Sequence, residues 1–220
     1  MAGRDAKPGR KAPAPKRAAK RAAPERREQI LESAGAVFAA SSYAKVGTAD
    51  LARAAGVSEP ALYRYFKGKR DLYIATLETT GARLLEIWRG VAAANDDPLE
   101  AIRAIGLGYY DHLHGRAPVL RLFYEALSEI DDPLIRRTVR SNFLAMVGFV
   151  EGLLLAARER GRLRLDIDPR VAAWHFMAIG FSFDLVHLLG VDGELDRSKV
   201  EGWGSLYLDS VAKPEPEESR

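Results

Sequence analysis

Residues 47–72 read GTADLARAAGVSEPALYRYFKGKRDL, and this stretch decides the fold. Thr48 to Ala55 has Leu51, Ala52 and Ala55 at the i, i+1, i+4 spacing of a buried helical stripe. Gly56 ends that helix, because glycine takes the left-handed conformation at a helix C-terminus without a Cβ clash. Val57 is an apolar turn residue suited to plugging the gap between two helices. Ser58 can cap the next helix, and Pro60 suits an opening turn whose N–H groups have no partner anyway. In that second helix Leu62 and Phe66 lie four apart and face inward, which leaves Glu59, Ala61, Tyr63, Arg64 and Tyr65 outside. An exposed face with two tyrosines and an arginine suits a DNA groove. The spacing therefore predicts a helix-turn-helix, with an ordinary helical hairpin as the alternative.

Working outward, Ile30, Leu31, Ala34, Val37 and Phe38 repeat at helical spacing and predict a helix over 24–41. Pro24-Glu25 suits its start and Ser41-Ser42-Tyr43 its end. This helix would carry the reading pair on its apolar side, completing a three-helix head over 24–70. A longer helix over 69–93 leads away and stops at Asn95-Asp96-Asp97-Pro98. Further helices are predicted at 98–115, 118–130, 133–160, 169–189 and 195–212, each bounded by a turn signal. No stretch alternates in the strand manner for long, so the fold class is all-α: a helix-turn-helix head and a larger helical body over 71–212.

The motif resembles the TetR family of bacterial transcriptional regulators. The matching residues are Leu51-Ala52, Ala55-Gly56-Val57-Ser58, Leu62-Tyr63, Tyr65-Phe66, Lys69 and Leu72. The likeness is close over roughly 25–75 and beyond that is only an all-helical pattern. It implies a homodimer on palindromic double-stranded operator DNA, a repressor released or engaged by a small effector. The DNA-contacting set expected is Thr48, Ser58, Glu59, Pro60, Ala61, Tyr63, Arg64, Tyr65 and Lys69, with Lys69 gripping a phosphate at a helix N-terminus. Two residues depart from the family pattern. Gly47 stands where Thr or Ser is usual, which leaves Thr48 to take over a hydroxyl–phosphate contact. Arg70 stands where an acid is frequent, which would add positive charge near the DNA backbone.

Charge is unevenly placed along the 220 residues. Residues 1–23 hold eight basic side chains against Asp5 alone, leaving 25 basic and 29 acidic residues and a formal net charge of −4 for 24–220. The basic leader, rich in Ala and Pro, is expected to be a disordered arm over 1–23 that follows DNA phosphates or enters the minor groove; a solvated leader is the alternative. The acidic end, 213–220, is expected to fray. There is no cysteine, which excludes disulfides, thiolate metal sites and a thiol nucleophile. No apolar run approaches the length that crosses a bilayer, so no membrane partner and a cytoplasmic location are expected.

The body supplies the remaining expectations. Helix 169–189 is apolar nearly all round and must be covered on more than one side. One stripe (Val171, Trp174, Ala178, Phe181, Leu185, Leu188) is assigned to the chain's own core, and another (Ala172, His175, Ile179, Phe183, Val186) to a partner copy. The resemblance implies that the last two long helices pair between copies, so the dimer interface expected is Ile179, Phe183, Val186, Trp203 and Tyr207. It also implies a pocket for a small, mostly apolar effector among the central helices, with Tyr110, His112, Phe123, Asn142, Phe143, Met146, Trp174 and His175 as candidates. Each ring could equally be core. No cofactor or metal is expected, because His112 and His114 point to different helix faces. Asp184 and His187 share a face and form the best acid–base constellation, but no phosphate-binding loop or nucleophile motif accompanies them, so an enzyme is not expected. The stronger rival is a DNA-architectural protein without sequence preference or effector.

Overall fold

The structure, a computed structural model, describes residues 16–115 and 118–214, with side chains over 23–111 and 121–214. The outer leader, the end beyond 214 and the side chains of His112 and His114 lie outside the described residues. Among those described, the secondary structure is helical apart from one isolated antiparallel bridge, Leu163 to Ala212. The helices are α1 (Lys16–Ala40), α2 (Thr48–Ala54), α3 (Glu59–Leu62), α4 (Lys69–Ala93), α5 (Pro98–Gly115), α6 (Pro118–Ser128), α7 (Pro133–Glu159), α8 (Pro169–Leu189) and α9 (Arg197–Val211). The bounds follow the turn signals: Asp132 caps α7 and Asp168 caps α8, each accepting two backbone N–H groups.

The first helix starts earlier than 24. It begins at Lys16 and runs through Pro24, so the part of the leader over 16–23 is helical rather than disordered. KRAAKRAA is built from strong helix formers, which extend a helix that the packed residues after it nucleate. A proline inside removes one backbone bond without stopping the helix.

Two buried clusters organise the molecule. The first joins Ile30 and Phe38 of α1, Leu51 of α2, Leu62 and Phe66, and Leu72 and Tyr73 of α4 to Leu122 and Ala126 of α6 and Ile135 and Val139 of α7. The core beneath the helix-turn-helix is thus completed by helices from the body. The second cluster holds Trp88, Ile102, Ile105, Val147, Val150, Leu154, Ala173, Phe183 and Tyr207. Burying each large side chain of this kind contributes roughly 1.5–3 kcal/mol. Helix α4 runs through both clusters, and α7 crosses it at Gly81. There Asn142 donates from Nδ2 to the Leu77 carbonyl at 2.9 Å, and a Cβ on Gly81 would lie 2.4 Å from the Asn142 side chain.

Contrary to expectation, α7 and α8 are long and apolar enough to cross a membrane by length and composition. They pack against each other here and supply Val147, Val150 and Leu154, and Ala172, Ala173 and Phe183, to the body core.

Candidate nucleic-acid interface and body cavity

The helix-turn-helix is built as its local chemistry requires. Gly56 takes φ +62°, the left-handed value, and the Val57 N–H donates back to Ala52. The Ser58 hydroxyl accepts from the Ala61 N–H at 3.3 Å, and Pro60 occupies the first turn of α3. Helix α3 is short, and its last bonds are carried on by Tyr65 and Phe66 donating to the Leu62 carbonyl. Leu62 and Phe66 are buried as expected, while Tyr63 and Arg64 are exposed.

Three of the expected contact residues turn out to be tied to one another. Thr48 donates from Oγ1 to Glu59 Oε2 at 2.8 Å, and the Tyr63 hydroxyl reaches Thr48 Oγ1 at 3.4 Å. This network pins the start of α2 to α3, so the Thr48 hydroxyl and the Glu59 carboxylate are engaged with each other. Tyr65 is only half-exposed and leans on the head core. Lys69 is held too: its Nζ donates to the Tyr43 carbonyl at 3.0 Å and lies 4.4 Å from the centre of the Tyr43 ring. Pro60 and Arg64 are exposed on the outward side, with Ala61 half-buried and the Tyr63 ring exposed while its hydroxyl is held by Thr48; Lys45 and Lys67 are exposed as well.

Arg70 does not add free positive charge. Its guanidinium makes a bidentate pair with Asp132, 2.5 Å from Nε and 2.6 Å from Nη2. The Arg70 hydrogen bond, with the backbone N–H groups of Ile135 and Leu134, holds the Asp132 carboxyl down to about 2 against desolvation. One carboxylate therefore caps α7 and ties it to the first turn of α4.

The body holds a partly open cavity of about 90 Å³. Its walls come from Leu84 and Trp88 of α4, Ile102 and Gly106 of α5, Met146 of α7, Phe176, Ile179, Phe181 and Asp184 of α8, and Tyr207 of α9. Of the seven effector candidates with described side chains, Met146 alone lines it. Tyr110 donates to the Leu195 carbonyl, and Asn142 serves the α4–α7 crossing. Phe123 and Phe143 pack on Phe181, 6.2 Å and 5.4 Å away, and Trp174 packs on Phe143 at 5.2 Å. His175 is exposed against Tyr207.

Asp184 is buried where helical periodicity gave no sign of it. It is 3% exposed and accepts from the Tyr109 hydroxyl at 2.6 Å, while His187 pairs with Asp192 at 2.9 Å. Burial raises the Asp184 carboxyl to about 6, partly offset by the Tyr109 hydrogen bond and by the charge of His187. Burial, with Asp184 beside it, pushes the Tyr109 phenol up as well. An acid three residues from a histidine suggested that the two share a face; the tyrosine partner 75 residues away could not be read from spacing.

The two stripes of α8 are largely exchanged relative to expectation, with Phe181 and Val186 half-buried and His175 exposed. Ile179 and Phe183, at 9% and 5% exposure, and Tyr207 of α9 are buried within their own chain. Val171, Trp174, Leu185 and Leu188 stand 66%, 45%, 54% and 41% exposed. Phe183 packs on Tyr110 and Trp203, so Trp203 also faces inward.

Residues 30–76 match the family described as bacterial regulatory proteins, tetR family. The chain is 33% identical to the transcriptional activator FasR of Mycolicibacterium smegmatis over 46% of each chain. It is 28% identical to the nucleoid occlusion factor SlmA of Marinobacter nauticus over 79% of this chain and 84% of that protein. With the transcriptional regulator TtgR of Pseudomonas putida it shares 29% identity over 89% of this chain and 95% of that one. The match to FasR thus spans about half of that protein's length. A TetR transcriptional regulator from Chloroflexus aurantiacus has the same fold, at a TM-score of 0.73 and 20% identity, covering 88% of this chain and 100% of that one.

Proposed function

We propose that this chain, whose residues 30–76 match the TetR family of bacterial regulatory proteins, is a ligand-responsive transcriptional repressor that binds a palindromic operator as a homodimer. The observation that carries this reading is the rigid presentation of α3. Thr48, Glu59 and Tyr63 lock it to α2, Lys69 and Tyr43 lock the turn after it, and the Tyr63–Arg64 face is left outward. A face held in this way can meet base edges without first ordering itself. Two such faces related by a two-fold axis would meet half-sites one DNA turn, about 34 Å, apart. The exposed apolar stripe of α8 supports pairing of two copies, with Leu185 and Leu188 at its centre.

The effector site is the body cavity. At about 90 Å³ it is smaller than the roughly 150 Å³ cavity that holds benzene, so an effector of ordinary drug size must push the helices apart. Phe181 lies between the cavity and Phe123 of α6, and α6 also supplies Leu122 and Ala126 to the head core. Displacing Phe181 would therefore move α6, and with it the head and α4. Coupling of this kind typically amounts to 1–3 kcal/mol.

Selection of bound sequences from random DNA by the purified chain tests the reading. The expected result is a two-fold symmetric motif with two half-sites. Tight binding with no enriched sequence would instead favour the architectural role, a possibility kept open by the likeness to a nucleoid occlusion factor.

A further inference from the structure

We propose that the body cavity takes an apolar molecule bearing an amine or other cationic nitrogen, which pairs with Asp184. This rests on the reading of the cavity as the effector site and names the chemistry that would fill it. The walls are apolar except for Tyr109, Tyr207, Asp184, Arg103 and Glu201, and the Tyr207 hydroxyl is spent on the Ala172 carbonyl at 3.0 Å. Arg103 lies 3.4 Å from Glu100 and donates to Ser205 at 3.3 Å. Glu201 pairs with Arg197 at 3.1 Å. Asp184 differs from both. Its hydrogen bond is with the neutral Tyr109 hydroxyl, and among the described residues no lysine or arginine bridges to it.

An ionised carboxylate offers about four acceptor positions, and the tyrosine fills one. A buried charge without a counter-charge is costly, and a tyrosine hydroxyl alone could be satisfied by an amide or a backbone carbonyl. The groups facing Asp184 are Tyr109 of α5, Tyr124 of α6 and His187 of its own helix. With its carboxyl raised to about 6, the residue is mostly ionised at neutral pH. A cationic nitrogen entering the cavity would supply the missing charge, and the rings of Trp88 and Phe176 line the same cavity. A carboxylate or phosphate in the same place would meet a like charge in a poorly hydrated site. The present volume suits one ring or a short chain behind the nitrogen.

Calorimetry on the full chain at pH 7 with hexylamine, hexanol and hexanoate tests this, since the three share one chain and differ in head group. Hexylamine is expected to bind at least about ten-fold more tightly than hexanol, with hexanoate weakest. Asp184→Asn, which keeps an acceptor for Tyr109, should remove the advantage of hexylamine and leave hexanol unchanged. Tyr109→Phe should preserve or raise it, because the carboxylate loses a competing donor. Hexanoate binding as well as hexylamine, no binding of any of the three, or an amine affinity indifferent to Asp184→Asn overturns the proposal. Should the variant not fold, the wild-type series still decides. Operator binding measured alongside separates the two readings: an amine that binds through Asp184 yet leaves operator affinity unchanged supports this pairing and removes the effector role.

Discussion

Tyr73 sits at the centre of the head core with its ring 4.7 Å from both Phe38 and Tyr43, and its hydroxyl is buried with no hydrogen-bond partner among the described residues. An unpaired buried hydroxyl costs about 1–3 kcal/mol. Tyr73→Phe should therefore leave stability unchanged or raise it by about that much, as read by urea denaturation. Lys69 gives the opposite expectation. Its ammonium is spent on the Tyr43 carbonyl and ring, so Lys69→Ala should destabilise the head by about 1–2 kcal/mol. It should also weaken operator and random DNA alike, since it loosens the element that presents α3. Arg64 has no comparable tie among the described residues. Arg64→Ala should cost roughly 1–3 kcal/mol on the operator with relaxed preference at one position. Binding assays across operator variants check this, and an equal loss on every sequence would make Arg64 a phosphate contact.

Helix α8 shows what an element does when almost every position is apolar. Its partition between core and surface is made by its neighbours: the small Ala172 and Ala173 are buried, and Asp184 is drawn inward to Tyr109 of α5. Phe183 follows Asp184 into the core, and Leu185 and Leu188 are turned out. Leu185→Glu combined with Leu188→Glu should yield folded monomers if this face pairs two copies. Phe183→Glu should unfold the chain, because it places an unpaired charge in the core. Scattering for mass and circular dichroism for helix content distinguish the two, and an unchanged dimer mass for the double variant would place the interface elsewhere.

At the scale of the whole molecule, two carboxylates give stability opposite dependences on pH. Asp132, held down to about 2 by Arg70, contributes stability that is present above the ordinary carboxylate range near 4 and is lost as pH falls towards 2. Asp184, raised to about 6, favours the folded state most below pH about 4, and that contribution is lost as pH rises through 6. Between pH 4 and 6 the chain should lose roughly 2–3 kcal/mol through Asp184, by the linkage of about 1.4 kcal/mol per unit. Urea titrations across that range should show this slope in the wild type and its absence in Asp184→Asn. Equal slopes in the two proteins would mean that Asp184 has the same affinity for protons folded and unfolded.

The helix-turn-helix was legible from residues 47–72 because its determinants act within a few positions of one another: a glycine at a left-handed turn, a serine cap, two apolar residues four apart. Helix number and most boundaries were legible for the same reason, through Asp132-Pro133, Asp168-Pro169 and Gly190. The early start of α1 was obscured by Pro24, whose local rule was overridden by the helix formers on both sides. The sequence left undecided whatever depends on residues far apart in the chain. The pairing of Arg70 with Asp132, the crossing of Gly81 by Asn142, the Tyr109–Asp184 bond and the inward side of α8 each join segments about 60 or more residues apart or turn on such a contact. Hydrophobic periodicity says that a face is buried but not by what, and for a helix apolar all round it does not say which face. Those choices were made by packing, and with them the place of the cavity and the apolar face that α8 leaves exposed.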